Sequence, residues 1–161
     1  MGIRRAVRED WRAIGRLLDQ LDYPGWEGFL ERRVEQLTGD ADEHLLVWEE
    51  EGGAAADAAG VHGSPAEESG PRIAAFVSLH FIPQLALAGD FARISYFAVD
   101  GETRSQGIGR LMEEYCEVLA RERGCALMEV HCHTRRVRAH AFYFRQGFEE
   151  SPKYLLKRLH Y

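Results

Sequence analysis

Apolar residues recur along the chain with two periods, and the switching between them predicts strands and helices in mixed order. Ile3 to Val7 alternates apolar with polar and predicts a short first strand. Asp10 then stands where a helix N-cap belongs, ahead of a face made by Trp11, Ile14, Leu17, Leu18 and Leu21. Tyr23-Pro24-Gly25 stops that helix, and a second is predicted from Trp26 to Leu37 with Phe29, Leu30, Val34 and Leu37 as its stripe. His44 to Glu49 predicts a strand, Ile73 to Ile82 a long apolar one, and Phe91 to Val99 another after a connection from Pro83 to Asp90.

The second half continues the alternation. A helix from Gly107 to Arg123 would bury Ile108, Leu111, Met112, Tyr115 and Leu119 and wet Arg110, Glu113, Glu114, Glu117 and Arg121, with Gly124 as its C-cap. Ala126 to Cys132 predicts a strand, Arg136 to Gln146 a short helix ending at Gly147, and Tyr154 to Leu159 a last strand. Gly52 to Gly70, rich in Ala, Gly, Ser, Pro and acid, reads as a flexible hairpin loop. It is no domain linker, because neither flank is large enough to fold alone. The layout is α+β (α/β) around one sheet, a single domain over residues 1–161.

Composition narrows the classes. With 45% hydrophobic and 29% charged residues the chain reads as a globular protein. No stretch reaches the ~18 apolar residues of a membrane span. The start, Met-Gly-Ile-Arg-Arg-Ala, lacks a signal-peptide core, and Ala6 sits where a myristoylation signal wants Ser or Thr. Three irregularly spaced cysteines, Cys116, Cys125 and Cys132, form no disulfide framework. A cytoplasmic location, no membrane and no nucleic-acid partner are expected, the last because the net charge is −6. The charge is unevenly spread: Glu9 to Glu51 holds 13 acidic and 4 basic residues, whereas Thr134 to Tyr161 holds 7 basic and 2 acidic. Surface scatter and functional polarity both fit that split.

Candidate chemistry sits between a strand and a helix, at Arg104-Ser105-Gln106-Gly107-Ile108-Gly109. A helix start offers unpaired N–H groups and partial positive charge, the glycines let a phosphate reach the backbone, and Arg104 can add a bidentate contact. No Lys follows as in a Walker loop, and Met112 stands where a dinucleotide fingerprint needs its third Gly. Read alone, this segment fits a ligand-free Gly-rich helix start better than a phosphate site. His131-Cys132-His133 suggests zinc only weakly. In a strand the two histidines share a face and no Cys-x-x-Cys partners them, so no metal is expected.

The second informative segment is Arg136-Val137-Arg138-Ala139-His140-Ala141-Phe142-Tyr143-Phe144-Arg145-Gln146-Gly147-Phe148. With the turn, it resembles the GNAT superfamily of N-acetyltransferases, matching its Arg/Gln-x-x-Gly-x-Gly/Ala turn and its Ala-x-x-Phe-Tyr-x-x-x-Gly-Phe helix. The wording is similar to a bacterial subgroup that includes aminoalkylphosphonate and aminoglycoside N-acetyltransferases. The resemblance spans nearly the whole chain. It implies a mixed sheet of six to seven strands, about four helices, and a V-shaped opening between two central parallel strands, Phe91–Val99 and Ala126–Cys132. It also implies acetyl-CoA as co-substrate, a small-molecule amine as acceptor and, since relatives are often dimers, a homodimer.

Carried onto this sequence, the family's cofactor contacts are Phe97, Ala98 and Val99 for the pantetheine arm and Arg104, Ser105, Gln106, Gly107, Ile108 and Gly109 for the pyrophosphate. Arg110, Arg136 and Ala139 are further contacts. Tyr143 matches the acid that protonates the thiolate. Where many relatives carry a glutamate on the strand ending at Val99, this chain has Arg93, Ser95 and Tyr96, so the base falls to His80, His131, Glu129 or a water, with His80 and His131 preferred. Arg136 stands where the family often has asparagine. Asp22, Tyr23 and Trp26 are expected to wall the acceptor, inside the net-acidic segment, which favours a cationic amine. An acyl-CoA sensor without catalysis and a protein or peptide N-acetyltransferase are the alternative readings.

Overall fold

The computed structural model describes residues 2–51, 72–104, 106–151 and 155–159. The expected hairpin loop at 52–70, Ser105 and Tyr154 lie outside these. Strand β1 (Gly2–Arg5) leads through a 3₁₀ turn (Arg8–Asp10) into helices α1 (Trp11–Asp19) and α2 (Leu30–Thr38). Strands β2 (Glu43–Glu50), β3 (Arg72–Ile82) and β4 (Phe91–Val99) follow, then α3 (Ile108–Arg123), β5 (Leu127–Val130) and α4 (Val137–Arg145). The strands form one sheet in sequence order, antiparallel from β1 to β4 and parallel between β4 and β5.

β3 reads as a continuous apolar run because both its faces are covered. Ala75, Val77, Leu79 and Phe81 pack with Met112, Cys116 and Ala120 of α3. Phe76 turns to the other side, with Leu45, Val47 and Ala98, against Ile14 and Leu17 of α1 and Leu30 and Val34 of α2. The sheet is thereby the middle of three layers, an α+β arrangement.

Four expectations are corrected. α3 buries Met112, Glu113, Cys116 and Ala120, while Leu111 and Tyr115 are exposed. The small Cys116 and Ala120 allow the helix to lie close to β3 and β4, which favours that face over the bulkier one. The second helix starts at Leu30 rather than Trp26, because Gly25 takes a positive φ of 85° and Trp26 is turned back onto α1. Asp10 does not cap α1 with its side chain. Its buried carboxylate instead takes two bonds from Arg4, at 2.8 and 3.0 Å, and one from the Val7 N–H at 2.8 Å. Residues 155–159 form no strand, with Leu155, Leu156 and Leu159 exposed, so the described sheet has five strands instead of six to seven. Periodicity alone did not distinguish an apolar tail from a strand.

Trp26 fixes the outer wall of the fold. Its indole lies on the backbone of Gly15, stacks edge-on with Trp11 at 6.0 Å and donates to Asp19 at 2.9 Å. A Cβ at Gly15 would come within 2.6 Å of the ring. Gly15→Ala should therefore destabilise by about 1–3 kcal/mol through overpacking, against the roughly 1 kcal/mol that alanine ordinarily gains over glycine in a helix. Urea denaturation measures this, and a variant more stable than the parent would contradict it.

Candidate active site at the fork of two parallel strands

The β4–β5 ladder is short. It runs from Phe91 opposite Leu127 to Ile94 opposite Val130 and then stops. At the same level β4 bulges: its pairing with β3 jumps from Ile94 opposite Leu79 to Tyr96 opposite Ser78, leaving Ser95 as the extra residue. A cleft of about 70 Å³ opens where the strands part. Ser95, Tyr96 and Phe97 line one side, Val130, His131 and Cys132 the other, with Arg136, Ala139 and Tyr143 of the α4 region behind and Leu21 and Tyr23 in front.

β4 runs from this cleft into the turn that starts α3. The Asp100 carboxylate organises the connection, accepting from the Glu102 N–H at 3.1 Å and from Arg72 at 2.8 Å. Burial pushes its pKa up, but Arg72, the Glu102 amide and Gln20 outweigh that and hold it below the ordinary value. Thr103 is buried and closes the turn through its N–H and hydroxyl, both on the Asp100 carbonyl. Gly107 then takes φ 81°, a left-handed conformation that favours glycine, and α3 begins with no side-chain cap. A helix start of this kind leaves its first N–H groups without partners inside the helix. Gly109 fits between Phe142 and Val99, where a Cβ would sit 3.5 and 3.6 Å from them. Arg104 is exposed, its Nε 3.4 Å from the Val99 carbonyl. Arg110 instead pairs with Glu114 at 2.6 Å, along the helix surface.

Tyr143 occupies an aromatic nest, edge-on to Phe142 at 5.2 Å and Phe148 at 5.3 Å. Burial, with Cys132, Cys116 and Glu113 nearby, raises its pKa well above the usual phenol range, against an opposing pull from Arg136. The phenol is thus a firm proton holder. Burial also pushes the Cys116 thiol up to about 12, and burial with Glu117 and Glu114 pushes the Glu113 carboxyl up to about 7.

A family model for the acetyltransferase (GNAT) family matches residues 11–148. The chain belongs to the GNAT acetyltransferase family. Solved structures agree in fold. A transcriptional regulator from Bacillus halodurans C-125 superposes with a TM-score of 0.78 at 22% identity, over 98% of each chain. Glucosamine-6-phosphate N-acetyltransferase from Arabidopsis thaliana gives 0.74 at 21%, over 98% of this chain and 97% of that one. A GNAT family acetyltransferase from Staphylococcus aureus gives 0.72 at 19%, over 99% and 100%. No curated protein matches.

For this GNAT chain, the predicted site residues separate by place. Phe97, Ala139 and Tyr143 line the cleft, as do His131 and Arg136. Ala98 is buried against α1 and α2, and Val99 leads into the turn. Gln106 to Gly109 with Arg104 form the turn and the start of α3. His80 stands on β3 outside the cleft lining. Its Nδ1 meets the Glu43 carboxylate and its Nε2 faces the Ser78 hydroxyl at 3.2 Å, so the sheet engages both ring nitrogens. Glu129 is tied to Arg93 at 2.6 Å. Of the acceptor wall, Tyr23 reaches the cleft, Asp22 pairs with Arg135 at 3.5 Å on its rim, and Trp26 belongs to the α1 packing.

Sequence reasoning missed Gln20, Leu21 and Tyr96. Gln20 accepts from the Gly101 N–H at 3.0 Å, the Leu21 carbonyl accepts from Arg136, and Tyr23 stacks edge-on with Tyr96 at 5.3 Å. The connection after α1 therefore touches the loop before α3, the β4 bulge and the entry to α4. No local pattern signals contacts 81 and 115 residues apart.

Glu113 offers a pH test. Its folded pKa of about 7 exceeds the ordinary 4.5, so between these values the folded state binds more protons and stability falls as pH rises. Glu113→Gln should be more stable than the parent at pH 8, by on the order of 2 kcal/mol, and close to it at pH 4.5. Denaturation at both pH values checks this, and a difference independent of pH would contradict it.

Proposed function

We propose that the chain transfers an acetyl group from acetyl-CoA to a primary amine of a small molecule by direct attack in a ternary complex. The observation that carries this reading is the continuity of cleft and turn: one strand, β4, runs from the forked cleft to an uncapped helix start with a left-handed glycine. That spacing suits a ligand with a thiol arm at one end and a pyrophosphate at the other. The α3 N–H groups, backed by Arg104, would take the pyrophosphate, with Ser105 in the same turn and Gly107 and Gly109 giving room. The edge of β4 turned away from β3 at Phe97 to Val99, which no strand among the described residues pairs, would take the arm, and an N–H there would polarise the acyl carbonyl.

Acetyl-CoA supplies an activated acyl group. The residues supply the proton handling. An alkyl ammonium, with a pKa near ~10, must lose a proton before it attacks, and His131, in the cleft wall, is the better-placed acceptor than His80. Tyr143 keeps its proton at neutral pH and gives it to the departing thiolate. Arg136, near it, offsets part of the charge left behind. Among the described residues the cleft lining has no carboxylate, the feature that favours a second reading, acyl-CoA binding without transfer.

Equilibrium binding of acetyl-CoA, followed by thiol release with a panel of primary amines, separates the two. Saturable binding with amine-dependent CoA release is expected, and binding without release on any amine would leave a binding module. Tyr143→Phe should lower turnover by roughly 100-fold with acetyl-CoA affinity retained, the size of a general-acid contribution. Unchanged turnover would remove Tyr143 from the mechanism.

A further inference from the structure

Resting on the acetyl-transfer reading, we propose that the acceptor is a small amine that also carries an anionic group, a carboxylate or a phosphate, and that Arg136 receives it. The charge inventory of the cleft carries this inference. Among the described residues that line it there is no Asp or Glu, and Arg136 is its one formal charge, beside His131 and His133. Around it, Asp22 pairs with Arg135 at 3.5 Å, Glu129 with Arg93 at 2.6 Å and Asp19 accepts from the Trp26 indole at 2.9 Å, while Glu113, buried on α3, bears on Tyr143 from outside the lining. The net-acidic segment that favoured a cationic acceptor spends its charge on α2 and β2, where Glu31 and Glu35 face Arg8 and Glu49 faces Arg4.

Arg136 itself is half-buried and donates to the Leu21 carbonyl. A carbonyl satisfies a donor without cancelling the charge, and a guanidinium has five N–H donors in a planar fork. Its remaining donors suit a carboxylate or phosphate oxygen pair. Its field reaches the Cys132 thiol and the Tyr143 phenol, which places the cation at the reacting end of the cleft. A fixed cation there repels a second ammonium. It also favours the neutral form of the reacting amine, the form that attacks. The exposed Tyr23–Tyr96 pair forms a wall against which the body of such an acceptor can pack.

The rival source of anionic groups is the cofactor, and the test must separate the two. Acceptors would be compared in pairs that differ only in the anion: amino acids against their amides, and aminoalkyl phosphates against the matching amino alcohols. Two readouts are taken, kcat/KM from thiol release and calorimetric binding to protein saturated with CoA. The anionic member should be preferred by roughly tenfold or more, the scale of a charge-assisted hydrogen bond. Arg136→Gln, which can still donate to the Leu21 carbonyl, should reduce that preference to within about twofold and leave acetyl-CoA affinity unchanged. Arg136→Lys, which keeps the charge and loses the fork, should retain part of the preference. Anion-dependent binding without thiol release would uphold the inference and defeat the transfer reading. Equal use of both members, a preference for diamines, or an Arg136→Gln variant that loses acetyl-CoA affinity and keeps the preference would overturn the inference.

Discussion

β4 and β5 hydrogen-bond over four residue pairs and then part, and every feature of the site follows from that parting. A continuous parallel ladder would satisfy the backbone groups of β4 beyond Ile94 and close the sheet. Because the ladder ends, those groups need other partners, and buried backbone donors are rarely left without one. Ser95 marks the change as the extra residue of a bulge, which bends β4 away from its neighbour. The fork stays open because its two sides are packed differently: aromatic rings of α4 behind, with Phe142 edge-on to Phe97 at 5.9 Å, and the connection after α1 in front.

The parts of the fold legible in the sequence were those whose cause is local. β3 and β4 declare themselves by apolar runs between turn residues. The ends of α3 declare themselves by glycine, and both Gly107 and Gly124 take positive φ, at 81° and 75°. The turn before α3 and the place of Tyr143 on α4 were legible for the same reason, since each lies in one short segment. The failures share a different cause. Which face α3 buries depends on how closely it can approach β3, so Cys116 and Ala120 went inside and Tyr115 did not. Trp26 looked like an acceptor wall until Gly15 offered it a flat seat. Asp10 looked like a cap until Arg4, from the neighbouring strand, supplied a stronger partner.

Charge counted along the chain and charge counted by place differ. Summed by segment, the N-terminal third is acidic and the C-terminal end basic. Summed by place, the cleft is lined by one cation and by no acid among the described residues. The difference arises because ion pairs neutralise charge within the fold: α2 carboxylates face Arg8, and Asp100 and Glu102 share Arg72. Only charges without an ionic partner act on a ligand at short range, and screening by salt removes most of the rest. The sequence reports how many charges there are. The fold decides which of them remain.

The connection after α1 shows how the two ends of the site are held to one geometry. Gln20, Leu21, Asp22 and Tyr23 reach, in turn, Gly101, Arg136, Arg135 and Tyr96. Asp22 is there at φ 64°, a conformation costing a non-glycine residue about 1 kcal/mol. The contacts made by Gln20, Leu21, Asp22 and Tyr23 flank that conformation on both sides. Gln20 also bears, through the Gly101 N–H, on the loop that leads into α3, so the same connection touches the front wall of the cleft and the approach to that helix. The turn before α3 and the front of the cleft thus share a single short wall, the connection after α1.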